Sequence, residues 1–280
     1  MDTGTFEGFS AERDEHGVLT VTFERPETMN ASTIGMKRDL VELLTQAQLD
    51  DTVRVLVFTG RGRAFWAGDD MKGYERTAGT VMPPIGAGHH NAIGTYDALR
   101  AISQAVNVAV RNLDKLTIAA VNGVAIQTGF SFALACDFRI AARSARLGSA
   151  TLRFGLLPDE GGHWLLVQHL GVARTMDFLM RKRIVTADEA LELGLVHEVV
   201  ADDDLAAAAR ALAEELAAGP QVAMRLLKRS VYSAAEQVFP HALDDIATKT
   251  AITDHHPDAR AGARSFLDKQ PPQFNEWLEP

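Results

Sequence analysis

The chain is poor in sulfur nucleophiles: its 280 residues include one cysteine, Cys136. A single thiol cannot close an internal disulfide, and no Cys/His spacing suited to a metal occurs. The expectation is therefore no bound metal and a reducing, cytoplasmic setting. Cys136 lies in the apolar run A-L-A-C-D, where buried packing is its expected role. Positive charge is also scarce, with 28 Lys and Arg against 37 Asp and Glu and a formal charge of −9. A nucleic-acid partner needs a basic face, so none is expected. A few local Lys or Arg can still hold the phosphates of a small ligand. No apolar run reaches the length of about 18 residues that a membrane span requires. The opening M-D-T-G-T-F-E-G-F has neither the basic nor the apolar stretch of a signal peptide. Internal repeats are absent.

What is present is strand–helix alternation. Residues 18–24 (V-L-T-V-T-F-E) alternate as a strand does, and R-P-E-T-M-N-A breaks them. A helical pattern follows over 33–49, with Ser32 as the expected N-cap. Residues 53–60 read as a buried parallel strand, 116–121 as another, and F-R-I-A-A as a third. A helix is expected from Thr128 onward. This order predicts an α/β core with a mostly parallel sheet. From Pro158 the pattern is almost wholly helical, with helices expected over 203–218, 221–235 and 257–268. The reading divides the chain into a core, 1–200, carrying the site, and a helical region, 201–280. Residues 73–94 are rich in Gly and Pro and are expected to form a long irregular loop.

Three separated stretches carry the functional signal: A-F-W-A-G-D-D-M-K, V-N-G-V-A-I-Q-T-G-F-S-F-A-L-A-C-D, and R-L-G-S-A-T-L-R-F-G-L-L-P-D-E-G-G. With R-P-E-T-M-N-A upstream and R-K-R-I-V-T-A-D-E-A-L-E-L-G-L-V-H-E-V-V downstream, they resemble the crotonase superfamily, the enoyl-CoA hydratase/isomerase family, in order and spacing over nearly the whole chain. The resemblance implies a spiral core of βα turns and a C-terminal helical region supporting a homotrimer or a dimer of trimers. It implies an acyl-CoA thioester as substrate, with coenzyme A part of that substrate and no separate cofactor. It implies that two backbone N–H groups, of Asp69 after Ala67 and Gly68, and of Thr128, bind the thioester oxygen. A helix start suits Thr128 to that task, because its N–H groups are unpaired and the helix dipole favours negative charge.

Several positions depart from the family pattern. A glycine is usual where Thr128 stands, and a small residue where Asp69 stands. The two glutamates of the family's hydratases are replaced by Ser131 and Thr151, whose expected role is lining the pocket or holding a water. Asp159 matches the catalytic aspartate of several non-hydratase branches. One carboxylate beside an oxyanion hole is enough for a 1,3-proton shift. Asp159 also precedes a predicted helix, where an N-cap is worth about 1 kcal/mol, and both roles stay open. Glu160 is the second catalytic candidate. Lys72, Lys269 and Phe266 match positions near the CoA phosphates and nucleotide, although Glu27 stands where a lysine often follows R-P. Trp66 and Phe130 are expected to shape the acyl pocket, His89 and His90 to lie in the loop that covers it, and His163 to face helix packing. The favoured expectation is double-bond isomerisation. Hydration, hydrolysis of an acyl-CoA or β-diketone, and acyl-CoA binding without catalysis are the alternatives.

Overall fold

A computed structural model describes residues 5–79 and 92–278. Among the described residues, ten strands form two sheets: β1 (Phe9–Arg13), β2 (Val18–Phe23), β3 (Val55–Gly60), β4 (Ala64–Trp66), β5 (Leu116–Val121), β6 (Val124–Ile126), β7 (Phe138–Ala142), β8 (Arg146–Gly148), β9 (Ile184–Thr186) and β10 (Glu198–Val200). Eleven α-helices accompany them among the described residues: α1 (Ile34–Leu49), α2 (Met71–Ala78), α3 (Ala92–Ala98), α4 (Gln104–Asn112), α5 (Thr128–Ala135), α6 (Gly162–Met180), α7 (Ala187–Glu192), α8 (Leu205–Ala218), α9 (Gln221–Ala234), α10 (Phe239–Asp254) and α11 (Pro257–Asp268).

The larger sheet runs β1-β2-β3-β5-β7-β10, parallel except for the antiparallel β1–β2 pair. Its inner strands are apolar on both faces because both faces are covered. Leu56 and Phe58 join one core with α1, α4 and α5, whereas Val55 and Val57 join a second core under α8. The smaller sheet runs β4-β6-β8-β9. Its first three strands are parallel, with Trp66 opposite Ala125 and Ile126 opposite Gly148. The chain segments after β4, β6 and β8 therefore leave the sheet side by side. These are the three stretches that the sequence singles out, brought to one edge.

Some expectations are corrected. The N-cap of α1 is Thr33, whose Oγ1 accepts from the Met36 N–H at 3.1 Å, and not Ser32. Ser32 instead bridges to Asp69. The segment 73–94 is not wholly irregular. Asp70 caps α2 by accepting from the Gly73 N–H at 2.8 Å, which carries helix to Ala78, and α3 begins at Ala92. His89 and His90 lie outside the described residues. The stretch after Pro158 contains β9 and β10, three residues each and too short for alternation to register. The expected boundary near residue 200 falls between β10 and α8, yet α8 lays Leu205, Ala209, Ala213 and Ala217 on the core sheet. Among the described residues, no helix is long and apolar enough to cross a membrane.

Candidate active site

At the edge where β4, β6 and β8 end, a cavity of about 330 Å³ opens. Ala67, Asp69, Thr128, Thr151, Asp159 and Glu160 all line it. One wall is apolar, with Ile34, Met71, Leu99, Ile102 and Leu157 among its residues.

The first turn is held by its neighbours. The Ser32 N–H donates to the Gly68 carbonyl at 2.8 Å, and the Asp70 N–H donates to the Ser32 carbonyl at 3.0 Å. The N–H between these bonds, that of Asp69, makes no backbone bond among the described residues. Gly68 has φ +92° and packs on Gln127, where a Cβ would stand 2.9 Å from the Gln127 Cβ. Trp66 donates Nε1–H to the Gly68 carbonyl at 3.2 Å. The second turn opens α5. Gln127 precedes the helix with φ 54° and offers no side-chain cap, so the Thr128 N–H is left without an intrahelical partner. Gly129 lets α5 approach β4: a Cβ there would lie 2.0 Å from the Trp66 carbonyl oxygen. Two N–H groups without a backbone partner among the described residues thus flank one cavity, an arrangement suited to a developing oxyanion.

The two aspartates of D-D-M-K divide their work. Asp70 pairs with Arg25 Nη2 at 2.8 Å as well as capping α2. Burial works against its charge, but those bonds hold the carboxyl below its ordinary range. Asp69 turns its Oδ1 to Lys37 Nζ at 2.6 Å and accepts from Ser32 Oγ at 3.0 Å.

Opposite them stand Asp159 and Glu160, on the segment between a 3₁₀ turn (Thr151–Phe154) and α6. Two amide side chains one helical turn apart on α4 tether this segment. Gln104 Nε2 donates to the Asp159 carbonyl at 2.9 Å, and Asn107 Nδ2 to the Glu160 carbonyl at 2.8 Å. Glu160 is buried and accepts from Thr128 Oγ1 at 2.5 Å. Burial first, and the neighbouring Asp159 second, push its carboxyl up to about 7. Burial also raises Asp159, while a hydrogen bond from Glu160 favours its ionised form. Burial thus favours the protonated form of both adjacent carboxyls. Asp159 is not the cap of α6. Gly161 holds that position with φ 91° and no side-chain bond.

The remaining site candidates divide between cavity and surroundings. Thr151 lines the cavity and meets Ser149 Oγ at 3.3 Å. Ser131 does not line it. Ser131 lies on the buried side of α5 against Gly162, where an added Cβ would stand 2.4 Å from its Oγ. Trp66 and Phe130 also belong to the core, Phe130 stacked on Phe178, and neither forms the cavity wall. Lys72, Phe266 and Lys269 are exposed and outside the cavity lining. His163 is exposed at the start of α6, its Nδ1 3.4 Å from the Pro158 carbonyl, and not packed between helices. Among the described residues, no three of His, Cys, Asp and Glu are placed to hold a metal ion.

Sequence reading missed Lys37, Ser103, Tyr74 and the two α4 amides. One signal for Lys37 was available. It interrupts the apolar stripe of α1 formed by Met36, Leu40, Leu43 and Leu44, where a lysine needs a buried partner.

The family model for enoyl-CoA hydratase/isomerase matches residues 13–277. The chain belongs to the enoyl-CoA hydratase/isomerase family. Among its relatives, the 1,2-epoxyphenylacetyl-CoA isomerase of Escherichia coli (strain K12) is 36% identical over 263 residues, covering 93% of this chain and 95% of that protein. A protein of Rhodobacter capsulatus named a probable enoyl-CoA hydratase is 34% identical over 258 residues, covering 92% and 94%. The crystal structure of an enoyl-CoA hydratase from Bacillus anthracis superposes with a TM-score of 0.86 at 28% identity, over 96% of this chain and 99% of that one. The fold of this family member is the crotonase-like α/β fold that its motifs resemble. Relatives named isomerase and hydratase both stand near it, so the family leaves its reaction to be argued from the site.

Proposed function

We propose that this family member isomerises a double bond in an acyl-CoA thioester through an enolate. One observation carries the reading: the cavity is lined by Asp69 and Thr128, whose N–H groups make no backbone bond among the described residues, and by a carboxyl pair, Glu160 buried and Asp159 half-buried. The thioester oxygen accepts from the Asp69 and Thr128 N–H groups. The Asp159 carboxylate takes a proton from the α-carbon, and the electron pair passes onto the thioester oxygen. Asp159 then returns the proton at the γ-carbon, so the double bond moves and no atom is gained. Glu160 stays protonated and hydrogen-bonded to Asp159, which keeps the pair at one negative charge. The chain is proposed to assemble as a trimer or dimer of trimers through C-terminal helices, whose Phe239, Phe266 and Leu267 are largely exposed.

A second reading, hydration, is favoured by that same pair. A carboxyl raised to about 7 beside a second carboxyl is an arrangement that can deliver one proton and activate one water. Mass spectrometry in deuterated water separates the two readings. A panel of 2-enoyl, 3-enoyl and aryl-acetyl CoA thioesters is incubated with the purified protein. Deuterium at the α- or γ-carbon without added water is the expected result. An adduct heavier by water makes the protein a hydratase, and free CoA makes it a hydrolase. Saturable binding with no exchange on any thioester overturns the enolate reading.

A further inference from the structure

The cavity lining holds three acidic groups, Asp69, Asp159 and Glu160, and one cation among the described residues, Lys37. An oxyanion site is a poor place for surplus negative charge. A carboxylate on the residue that donates one of the N–H groups would repel the charge that those groups must stabilise. Lys37 is 1% exposed and reaches the cavity from α1. Its Nζ meets Asp69 Oδ1 at 2.6 Å and donates to Ser103 Oγ at 2.9 Å. Ser103 ends a π-helical turn (Leu99–Ser103), a departure from α-helix that often marks functional positions. The cation is therefore anchored from a second helix as well as paired.

We propose that Lys37 is a positioning residue: it balances Asp69 beside the oxyanion donors and sets the charge that the carboxyl pair across the cavity can carry. The proposal rests on the enolate reading for its meaning in catalysis, but its electrostatic part stands on the unliganded protein. The titratable groups that share the cavity lining with Lys37 are Asp69 from the turn after β4, Asp159 and Glu160 from the segment before α6, and Tyr74 from α2, whose hydroxyl donates to the Ser32 carbonyl at 3.3 Å. Arg25 acts at one remove, through Asp70. Burial and Asp159 dominate the raised Glu160 carboxyl; Asp69 raises it further and Lys37 lowers it.

The test is carboxyl carbon NMR of the unliganded protein, following the Glu160 titration in four forms. The wild-type midpoint is expected near 7. Lys37→Met should move it up by about one unit, and Asp69→Asn should move it down. The double variant, Lys37→Met with Asp69→Asn, removes the ion pair as a neutral unit and should return the midpoint toward wild type. If Lys37→Met alone does not fold, the double variant compared with Asp69→Asn carries the same test. A Glu160 midpoint unmoved by loss of Lys37 overturns the proposal. In α-proton exchange, Lys37→Met should lower kcat by about tenfold or more while KM changes by less than about threefold. The double variant should recover most of that loss, which a merely structural lysine would not allow. Exchange absent from the wild-type protein counts against the enolate reading, and the NMR result then judges Lys37 separately.

Discussion

The two walls of the cavity are built by different means. The proposed oxyanion wall is backbone: Asp69 and Thr128 lie just after the paired parallel strands β4 and β6, and Gly68 and Gly129 allow the close approach between them. The proposed proton wall is side chain: Asp159 and Glu160 lie on an irregular segment and depend on Gln104, Asn107 and Thr128 from other helices. Sheet register fixes the backbone of the first wall. The second wall keeps its shape only while particular polar partners remain. Of the two residues expected at the family's hydratase glutamate positions, Thr151 lines the cavity and Ser131 does not.

The walls should fail differently. The largest effect is expected at the proton wall. Asp159→Asn should slow α-proton exchange by about 10²–10⁴-fold with thioester binding retained, as measured by deuterium uptake and by titration calorimetry. Next is Glu160. Burial raises its carboxyl from 4.5 to about 7, so between those values the folded state holds more protons than the unfolded state. Stability from this group is then fully present below about pH 4.5 and is lost as pH rises through 7. Glu160→Gln removes the titration, and in urea melts it should gain on the wild-type protein between pH 5 and pH 8 by on the order of 2–3 kcal/mol. At the backbone wall, Gly129→Ala drives a methyl against the Trp66 carbonyl and should cost about 1–3 kcal/mol in thermal melts. The smallest effect belongs to the residue that joins the walls. Thr128→Val keeps the N–H but loses the bond to Glu160, worth about 1 kcal/mol, while Thr128→Ser should keep it.

The same division governs what the sequence could tell. Strands β5 and β7 and the start of α5 were legible because apolar runs there end at turn residues. The turns after β4 and β6 were legible because G-D-D and Q-T-G are local patterns. Lys37 and Ser103 lie 66 positions apart, and Asn107 and Glu160 lie 53 apart. No local pattern announces such pairs, since only the packing of α1 against α4, and of α4 against the segment before α6, brings them together. The sequence left open whether Asp159 reaches the cavity and whether it caps α6; it lines the cavity, and the cap falls to Gly161. Gly161, two residues later, starts α6 with a left-handed turn, and no spacing rule separates those two beginnings.

The central claim is that both walls act on one thioester. The most direct measurement is isotope-edited infrared spectroscopy of a carbonyl-labelled acyl-CoA thioester bound to the wild-type protein and to Asp159→Asn. The account predicts that the carbonyl stretch falls in frequency on binding, equally in both proteins, while only the wild-type protein exchanges the α-proton. A bound carbonyl at the frequency of the free thioester would contradict it.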